Sequence, residues 1–287
     1  MAIYTSNYLN GIDILKDEDI LIDISKYKKL AKTIGIINLM PNKSETEVQI
    51  LRLLANCNED LNIEFIRLES YKNTTSDYEY MINNYVTFNE IKDKLHGVII
   101  TGAPLEKLDF DEVLYIDELR DILDYVRENI KASLYICWGA QVALNYFYNV
   151  RKELKEDKIF GVFSHEVLKS DDILNGIKNG FKAPHSRHTC LNRQDIKSCK
   201  ELNLICVTDE DQEHIIKGSF NDYYILGHCE YDEDTLKGEY LRDLDRGLKI
   251  SVPKHYFENN DVNSSIKFNW RDDGIKIYNN WIDIIKV

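Results

Sequence analysis

The chain has 287 residues, 44% of them hydrophobic, and a formal net charge of −13 at pH 7. These values fit a globular protein with one large α/β domain or two small ones. The negative charge disfavours nucleic acid and anionic membranes as partners, although it does not exclude an anionic small ligand. No secretory leader and no apolar run long enough to span a bilayer is apparent, so we expect a cytoplasmic protein.

The first 32 residues are mixed in character and predict an irregular N-terminal arm before one domain over residues 33–287. Short apolar runs predict strands, and apolar residues at helical spacing predict helices. The predicted elements, in chain order, are a strand at 33–38, a helix at 44–54, strands at 63–68 and 97–101, a helix at 116–130, a strand at 133–136, a helix at 140–147, strands at 159–163, 202–207, 214–217 and 223–226, and a helix at 235–241. Ser44 and Glu47 fit a helix-capping box at the first helix.

Alternating strands and helices predict an α/β fold with a mainly parallel sheet and helices on both faces. The four prolines and the lack of a Gly/Ser-rich linker favour a single domain. Ligands of such folds bind at the carboxyl ends of the strands, so chemistry is expected there.

Cys137 directly follows the predicted strand at 133–136 and precedes a helix, in the sequence Cys-Trp-Gly-Ala-Gln. Most cysteines are small buried hydrophobes. A sharp strand-to-helix turn, however, exposes a nucleophile at a helix N-terminus, where a thiolate is stabilised and main-chain amides can hold an oxyanion. The small residues Gly139 and Ala140 allow such a turn, which favours a catalytic interpretation of Cys137.

His228 and Glu230 follow the predicted strand at 223–226. On an extended backbone, residues two apart lie on one face. Histidine would serve as general base for Cys137, and glutamate would orient the imidazole. His-x-Glu alone is a weak signal, but it gains specificity beside a cysteine turn at another strand end. Cys229 would point to the opposite face.

The other histidines carry less information. His185 and His188 have a spacing that metal sites use, but no further ligand pattern accompanies them, so no metal site is expected. A loop that presents Ser186 and Arg187 to an anionic substrate is at least as good an interpretation. His165 and His214 have no interpretable sequence context.

Several motifs resemble those of the homoserine O-acyltransferases of methionine biosynthesis, and they occur in the order found in that family. They are residues 38–47 (NLMPNKSETE), 101–106 (TGAPLE), 137–141 (CWGAQ), 183–187 (APHSR), 227–232 (GHCEYD) and 269–271 (NWR). Together they are specific and cover about residues 34–287. The resemblance implies a class I glutamine amidotransferase-like (flavodoxin-like) fold.

The resemblance also implies roles for individual residues. Cys137 would carry the acyl thioester, His228 would accept a proton, and Glu230 would be its partner. The positions that the family uses elsewhere are assigned as follows: Lys158, Ser186 and Arg242 bind substrate, Lys43 and the amide of Trp138 lie near the oxyanion, and Glu106 sets acyl choice. The implied substrates are L-homoserine and an acyl-CoA, without a bound cofactor; a homodimer is left open.

A glycine at the position of Glu106 would leave room for a succinyl group, whereas glutamate fills the space and repels its carboxylate. The sequence therefore predicts a homoserine O-acetyltransferase that uses acetyl-CoA in a ping-pong reaction. Departures from the family pattern include Asn42, Cys229 and Ser164. They leave open an enzyme for a related hydroxy amino acid. An O-succinyltransferase is also left open, because the acyl preference depends mainly on Glu106. A thiol hydrolase or glutaminase-type amidotransferase and a non-catalytic binding protein are the alternatives of other classes.

Overall fold

The computed structural model describes residues 1–24, 27–71 and 76–286. Its helices and strands alternate through the first half of the chain, and strands dominate most of the second half. In chain order they are β1 (Ala2–Tyr4), α1 (Ile12–Asp17), β2 (Leu21–Asp23), β3 (Lys32–Ile37), α2 (Lys43–Ala55), β4 (Leu61–Arg67), α3 (Ser76–Asn84), β5 (Val86–Thr87), α4 (Phe88–Ile91), β6 (Gly97–Ile100), α5 (Ile116–Asn129), β7 (Ala132–Ile136), α6 (Trp138–Tyr148), β8 (Lys152–Val167), β9 (Lys182–Leu191), α7 (Arg193–Ser198), β10 (Asn203–Thr208), β11 (Glu213–Lys217), β12 (Asp222–Ile225), α8 (Thr235–Asp245) and α9 (Arg271–Ile284).

The strands form one sheet in the order β2-β1-β4-β3-β6-β7-β12-β11-β10-β8-β9, with β5 paired to β4. In this order, every neighbouring pair between β2 and β12 is parallel, and so is the β4–β5 pair. The pairs from β12 to the other edge, β9, are antiparallel. The prediction of a single α/β domain with a mainly parallel sheet is confirmed. In the antiparallel half, short turns join β10 to β11 and β11 to β12, whereas the connection from β9 to β10 contains α7.

Apolar side chains cover both faces of the sheet. One face packs against α2 and α9, which bury Leu51 and Trp281. The other packs against α5 and α6, which bury Leu119 and Leu144. The apolar stripe predicted for residues 116–130 is therefore the buried face of α5, as its helical spacing indicated.

The first residues of the chain are part of this sheet. Ile3 is buried and pairs with Leu61, and the main-chain N–H of Ser6 donates to the Glu64 carboxylate at 2.9 Å. The prediction that residues 1–32 are irregular is therefore wrong for β1, α1 and β2. Strands of three residues are too short to show a period in the sequence, and their stability comes from the neighbouring strand.

Two local predictions also need correction. Helix α2 is capped by Asn42, whose side chain accepts from the N–H of Glu45 at 3.4 Å, and not by Ser44. The segment 184–188 belongs to β9 and is not a loop. Proline is compatible with this strand because β9 lies at the edge of the sheet.

Across the ranges 1–24, 27–71 and 76–286, no helix is both long and apolar enough to cross a membrane.

Candidate active site

Cys137 lies in the sharp turn between β7 and α6. Its backbone adopts φ 50° and ψ −111°, a conformation that a non-glycine residue adopts only when its surroundings enforce it. Its N–H donates to the carbonyl of Ile225 at 2.7 Å, which ties the turn to the end of β12. The thiol therefore sits at the N-terminus of α6, at the carboxyl ends of two parallel neighbours, β7 and β12.

Close packing of the turn depends on a glycine two residues later. A Cβ on Gly139 would lie 2.6 Å from the carbonyl oxygen of Thr101 and 2.8 Å from that of Ile100. Glycine thus allows α6 to begin directly against the end of β6. The loop after β6 is equally near, because a Cβ on Gly102 would lie 3.4 Å from that of Cys137.

His228 and Glu230 lie in the turn that follows β12. Their backbone is a turn and not the predicted extended segment, since the N–H of Tyr231 donates to the carbonyl of His228. Nonetheless Nδ1 of His228 lies 2.7 Å from Oε1 of Glu230. The Cys137 thiol lies close enough to the imidazole to act on its charge, so the three predicted residues form one chain in the order thiol, imidazole and carboxylate.

The charge of this trio follows from its burial. His228 is 3% exposed and Glu230 is 6% exposed. Burial by itself lowers the pKa of His228, but the negative charge of Glu230 and that of the Cys137 thiolate oppose it, and the net result is a pKa well above the usual value. The arrangement therefore favours the imidazolium form of His228 beside the Cys137 thiol, and a neighbouring cation is what stabilises the reactive thiolate of a cysteine nucleophile.

Ser186 is joined to the trio through residues that the sequence did not single out. The ring of Tyr231 stacks on that of His228 with centroids 4.2 Å apart, and its hydroxyl donates to Glu239 Oε1 at 3.0 Å. The other carboxylate oxygen of Glu239 accepts from the Ser186 hydroxyl. Glu239 lies on α8, so this helix closes one side of the site.

Lys158 and Arg242 meet on the same side. Nζ of Lys158 lies 3.4 Å from Oε2 of Glu239 and 3.4 Å from Oδ2 of Asp243. Nε and Nη2 of Arg242 donate to Oδ1 of Asp243 at 3.0 and 2.9 Å, while half of the Arg242 side chain stays exposed. Despite the burial that would raise it, the pKa of Asp243 is lowered by Arg242 and Lys158. The three predicted substrate residues thus share two acidic partners.

Glu106 is in the loop after β6, close to β9. Its Oε1 accepts from the main-chain N–H of His188 at 3.2 Å, and its own carbonyl accepts from Nζ of Lys152 at 3.0 Å. The side chain is half-buried. Both contacts hold the carboxylate between the loop that borders Cys137 and the strand that carries Ser186.

Lys43 and Trp138 are the first residues of α2 and α6. Lys43 begins α2, is buried, and donates from Nζ to the carbonyl of Asn38 at 2.7 Å. Trp138 is the first residue of α6, so its N–H has no acceptor within the helix. Its indole ring is fully buried near Tyr115 and Phe110.

Arg187 does not face a ligand. Its guanidinium is fully buried and donates to the carbonyls of Thr189 at 2.6 Å and Glu213 at 3.1 Å. Because side chains alternate along a strand, Ser186 and Arg187 point to opposite faces of β9. The interpretation of residues 184–188 as a loop that offers both side chains to a substrate is therefore wrong.

Glu239, Asp243 and Tyr231 are the residues that sequence reasoning missed. Glu239 and Asp243 are four apart on α8, which places them on one helical face. Acidic residues on a helix usually mark a solvated surface. These two differ in their tertiary contacts: both meet Lys158 from β8, and Glu239 also meets Ser186 and Tyr231. Tyr231 follows Glu230 directly, in the motif at 227–232, where roles were assigned from the sequence only to His228 and Glu230.

Comparisons with known proteins identify the relatives of this chain. A family model described as homoserine O-succinyltransferase matches residues 2–286. The homoserine O-acetyltransferase of Bacillus cereus (strain AH820) is 40% identical over 290 residues, which cover 99% of this chain and 96% of the relative. The homoserine O-acetyltransferase of Bacillus cytotoxicus is 42% identical over 256 residues, which cover 88% and 85% of the two chains.

Solved structures with a similar fold are more distant in sequence. A glutamine amidotransferase from Thermotoga maritima has a TM-score of 0.62 at 9% identity, covering 89% of this chain and 99% of that one. A glutamine amido transferase from Methylobacillus flagellatus has a TM-score of 0.55 at 9% identity, covering 89% and 95%. At these identities the likeness concerns the fold alone.

Proposed function

Because the chain belongs to the homoserine O-succinyltransferase family, as its family match and its 40%-identical relatives show, we propose that it is a homoserine O-acetyltransferase. The observation that carries this proposal is the contact chain of Cys137, His228 and Glu230 at the carboxyl ends of β7 and β12. Acyl transfer through a covalent intermediate requires a nucleophile and a base held in position to activate it.

The first half-reaction would acylate Cys137. The thiolate attacks the carbonyl carbon of acetyl-CoA, and the developing oxyanion accepts hydrogen bonds from the free N–H of Trp138 and the Lys43 ammonium. The bond between carbonyl carbon and coenzyme A sulfur then breaks. The leaving thiolate takes the proton from His228, which leaves an acetyl-thioester on Cys137 and a neutral imidazole.

Acylation would also prepare the second half-reaction. The thioester has no negative charge, so one of the two groups that raise the pKa of His228 is lost. The neutral imidazole then accepts the proton of the homoserine hydroxyl while its oxygen attacks the thioester. The carbon–sulfur bond breaks, O-acetylhomoserine leaves, and the thiolate–imidazolium pair is restored.

Charges around α8 suit an amino acid substrate. Homoserine has a carboxylate and an ammonium group. The half-exposed guanidinium of Arg242 and the ammonium of Lys158 are suited to the carboxylate. Glu239 is suited to the substrate ammonium, and its bond to the Ser186 hydroxyl fixes its orientation. Binding would therefore replace part of the ion pairing that now joins α8 to β8.

The preference for acetyl rests on Glu106. Its carboxylate accepts a hydrogen bond from the N–H of His188, which favours the position of the side chain beside β9. A succinyl group would bring a second carboxylate toward this loop, where like charge and the glutamate side chain oppose it. The relatives named homoserine O-acetyltransferase support the same choice. Succinyl transfer, or another hydroxy amino acid as acceptor, would appear as a result of the test below.

A mainly apolar cavity of about 230 Å³ lies next to Lys43 and the loop after β6, and Leu39, Ala103 and Leu105 line it together with Arg67. Its position beside the oxyanion side of the turn suits the pantetheine arm of acetyl-CoA. We propose this co-substrate, no bound cofactor, and a cytoplasmic location; the free state of all six cysteines supports a reducing compartment.

Intact-protein mass spectrometry tests the proposal. The protein is mixed with acetyl-CoA or succinyl-CoA, with and without homoserine, beside a Cys137→Ala control. We expect an acetyl adduct that requires Cys137 and that homoserine discharges. A preferred succinyl adduct would refute the role of Glu106 but keep the mechanism. An adduct that homoserine leaves intact would indicate another acceptor, and no adduct from either donor would refute acyl transfer in favour of a hydrolase or a binding protein.

A further inference from the structure

Three histidines from three strands meet in the protein interior, outside the catalytic trio. They are His165 on β8, His185 on β9 and His214 on β11, and none is more than 2% exposed. One ring nitrogen of each lies within 4.8 Å of the corresponding nitrogens of the other two. The mechanism above uses none of these residues.

The hydrogen bonds of His165 orient its ring toward the centre of the cluster. Its Nδ1 lies 3.3 Å from the carbonyl oxygen of Phe181, which can only accept, so Nδ1 carries the hydrogen. The Nε2 lone pair is then directed at His185, whose Nε2 is 3.0 Å away. A histidine held through Nδ1–H by a carbonyl, with Nε2 free to bind, is the usual arrangement of a metal ligand.

Several nitrogens of the cluster lack a protein partner. Nδ1 of His185 and both ring nitrogens of His214 have no hydrogen-bond partner among residues 1–24, 27–71 and 76–286. Buried side-chain nitrogens are rarely left in this state. A hydrogen-bonded stack of neutral histidines would explain the His165–His185 contact but leaves His214 unexplained. A bound ion would give a nitrogen of His214 the partner it lacks.

The protonation state of the cluster also suits a metal. Burial lowers the pKa of all three rings, that of His165 to about 3, so the rings are neutral near pH 7. Metal ions bind the neutral form of imidazole. The charged side chains that act on the cluster, Arg187, Lys182 and the His228 imidazolium, are all cationic, so the ion would need an anionic fourth ligand such as hydroxide to offset their repulsion.

A glycine leaves space beside the rings. A Cβ on Gly227 would lie 2.9 Å from Nε2 of His185 and 2.8 Å from Cε1 of His214. Any other residue would press on both imidazoles, whereas glycine lets them approach the backbone that leads to His228.

We propose that His165, His185 and His214 bind a divalent transition metal ion of the Zn²⁺ type, with three imidazole nitrogens and one non-protein ligand. Zinc bound tetrahedrally at about 2.0 Å from each nitrogen requires nitrogens roughly 3.3 Å apart, close to the 3.0 Å between His165 and His185. The nitrogen of His214 lies within 4.8 Å of the other two and would have to approach them to bind the ion. The ion would join β8, β9 and β11 directly behind the turn that carries His228.

Cobalt binding tests the proposal, because Co²⁺ reports its ligands by colour. Untagged protein is stripped with a chelator, titrated with Co²⁺ and freed of excess metal by gel filtration. We expect one retained Co²⁺ per chain, the visible bands of a tetrahedral site, no thiolate-to-cobalt charge-transfer band in the near ultraviolet, and displacement by Zn²⁺. His214→Leu and His185→Leu should lose the site, while His255→Asn, on an exposed turn, should retain it.

Each other result counts against the site. No retained cobalt in the native sequence, visible bands that persist in His214→Leu, or a thiolate charge-transfer band would each overturn the proposal. If both leucine variants fail to fold, the melting temperature of the unaltered protein decides, since it should rise saturably with Zn²⁺ and an unchanged value refutes binding. Cys137→Ala should bind cobalt normally, so failure of the metal site and failure of the proposed acyl transfer are distinguishable.

Discussion

Replacement of Glu230 by glutamine tests whether the carboxylate keeps the imidazole of His228 protonated. The two side chains meet at 2.7 Å, and both are nearly buried. Glutamine keeps the size and one oxygen acceptor but removes the negative charge. Removal of one partner of a buried ion pair costs about 3–5 kcal/mol. At 1.36 kcal/mol per unit, the pKa of His228 should therefore fall by roughly two to four units.

The rate should fall with it. At neutral pH less of the enzyme would hold the thiolate–imidazolium pair, so we expect kcat/KM for acetyl-CoA to drop ~10²- to 10³-fold. The alkaline limb of the pH profile of kcat/KM reports the loss of the imidazolium proton and should move to lower pH. Release of coenzyme A, followed with a thiol reagent across the pH range, measures both effects.

A matched control lies three residues away. Glu233 is in the same loop, is exposed, and its side chain contacts neither Cys137 nor His228 among the contacts that the structure shows. Glu233→Gln should leave the rate and the profile unchanged. A Glu230→Gln enzyme with an unshifted alkaline limb and a rate within about threefold of the parent would refute the electrostatic role of Glu230.

Further substitutions address substrate choice and stability. Glu106→Gly should raise kcat/KM for succinyl-CoA relative to acetyl-CoA at least ~10-fold, measured by direct competition between the two donors, and an unchanged ratio would contradict the repulsion argument. Arg242→Ala should raise KM for homoserine ~10- to 100-fold and leave acetylation of the thiol intact, as rapid-quench kinetics would show; slower acetylation would place the arginine elsewhere in the mechanism. Gly139→Ala should lower the free energy of unfolding by about 2–4 kcal/mol, measured in urea, because its Cβ would lie 2.6 Å from a carbonyl oxygen of the neighbouring strand. Burial lowers the pKa of His165 to about 3 in the folded protein, against about 6.5 in the unfolded chain, so the folded protein is most stable above pH 6.5 and loses this stability as the pH falls toward 3. The unfolding midpoint of His165→Gln should therefore depend less on pH over this range than that of the parent. An equal dependence would show that the ring is not kept neutral by burial.

The sequence predicted those features of the fold that depend on local pattern. Apolar runs and helical stripes placed the strands and helices of the parallel half, and the turn at Cys137 was visible because a strand ends where a helix begins. The antiparallel half was harder, since β9 contains Pro184 and lies at the sheet edge, where strand signals are weak.

The site was predictable only in part for a similar reason. His228 and Glu230 are near in sequence, so their relation to each other was visible, whereas the partners of Lys158 come from a helix that follows it by about eighty residues. Acidic residues of α8 have no sequence property that separates them from an ordinary solvated face. The histidines of β8, β9 and β11 are likewise brought together by antiparallel pairing, which single-residue patterns do not encode.

The strand order affects when the site can form during synthesis of the chain on the ribosome. β7 and its neighbour β12 are separated in the chain by about ninety residues, which take roughly 5–20 s to synthesise at 5–20 residues per second. During that interval Cys137 has emerged but His228 has not, so the nascent thiol has no base to activate it. Formation of the β7–β12 pair is a long-range closure of the kind that folds slowly. Under the proposed mechanism, the same pairing step completes both the sheet and the trio of Cys137, His228 and Glu230, so a partly made chain would not consume its acyl donor.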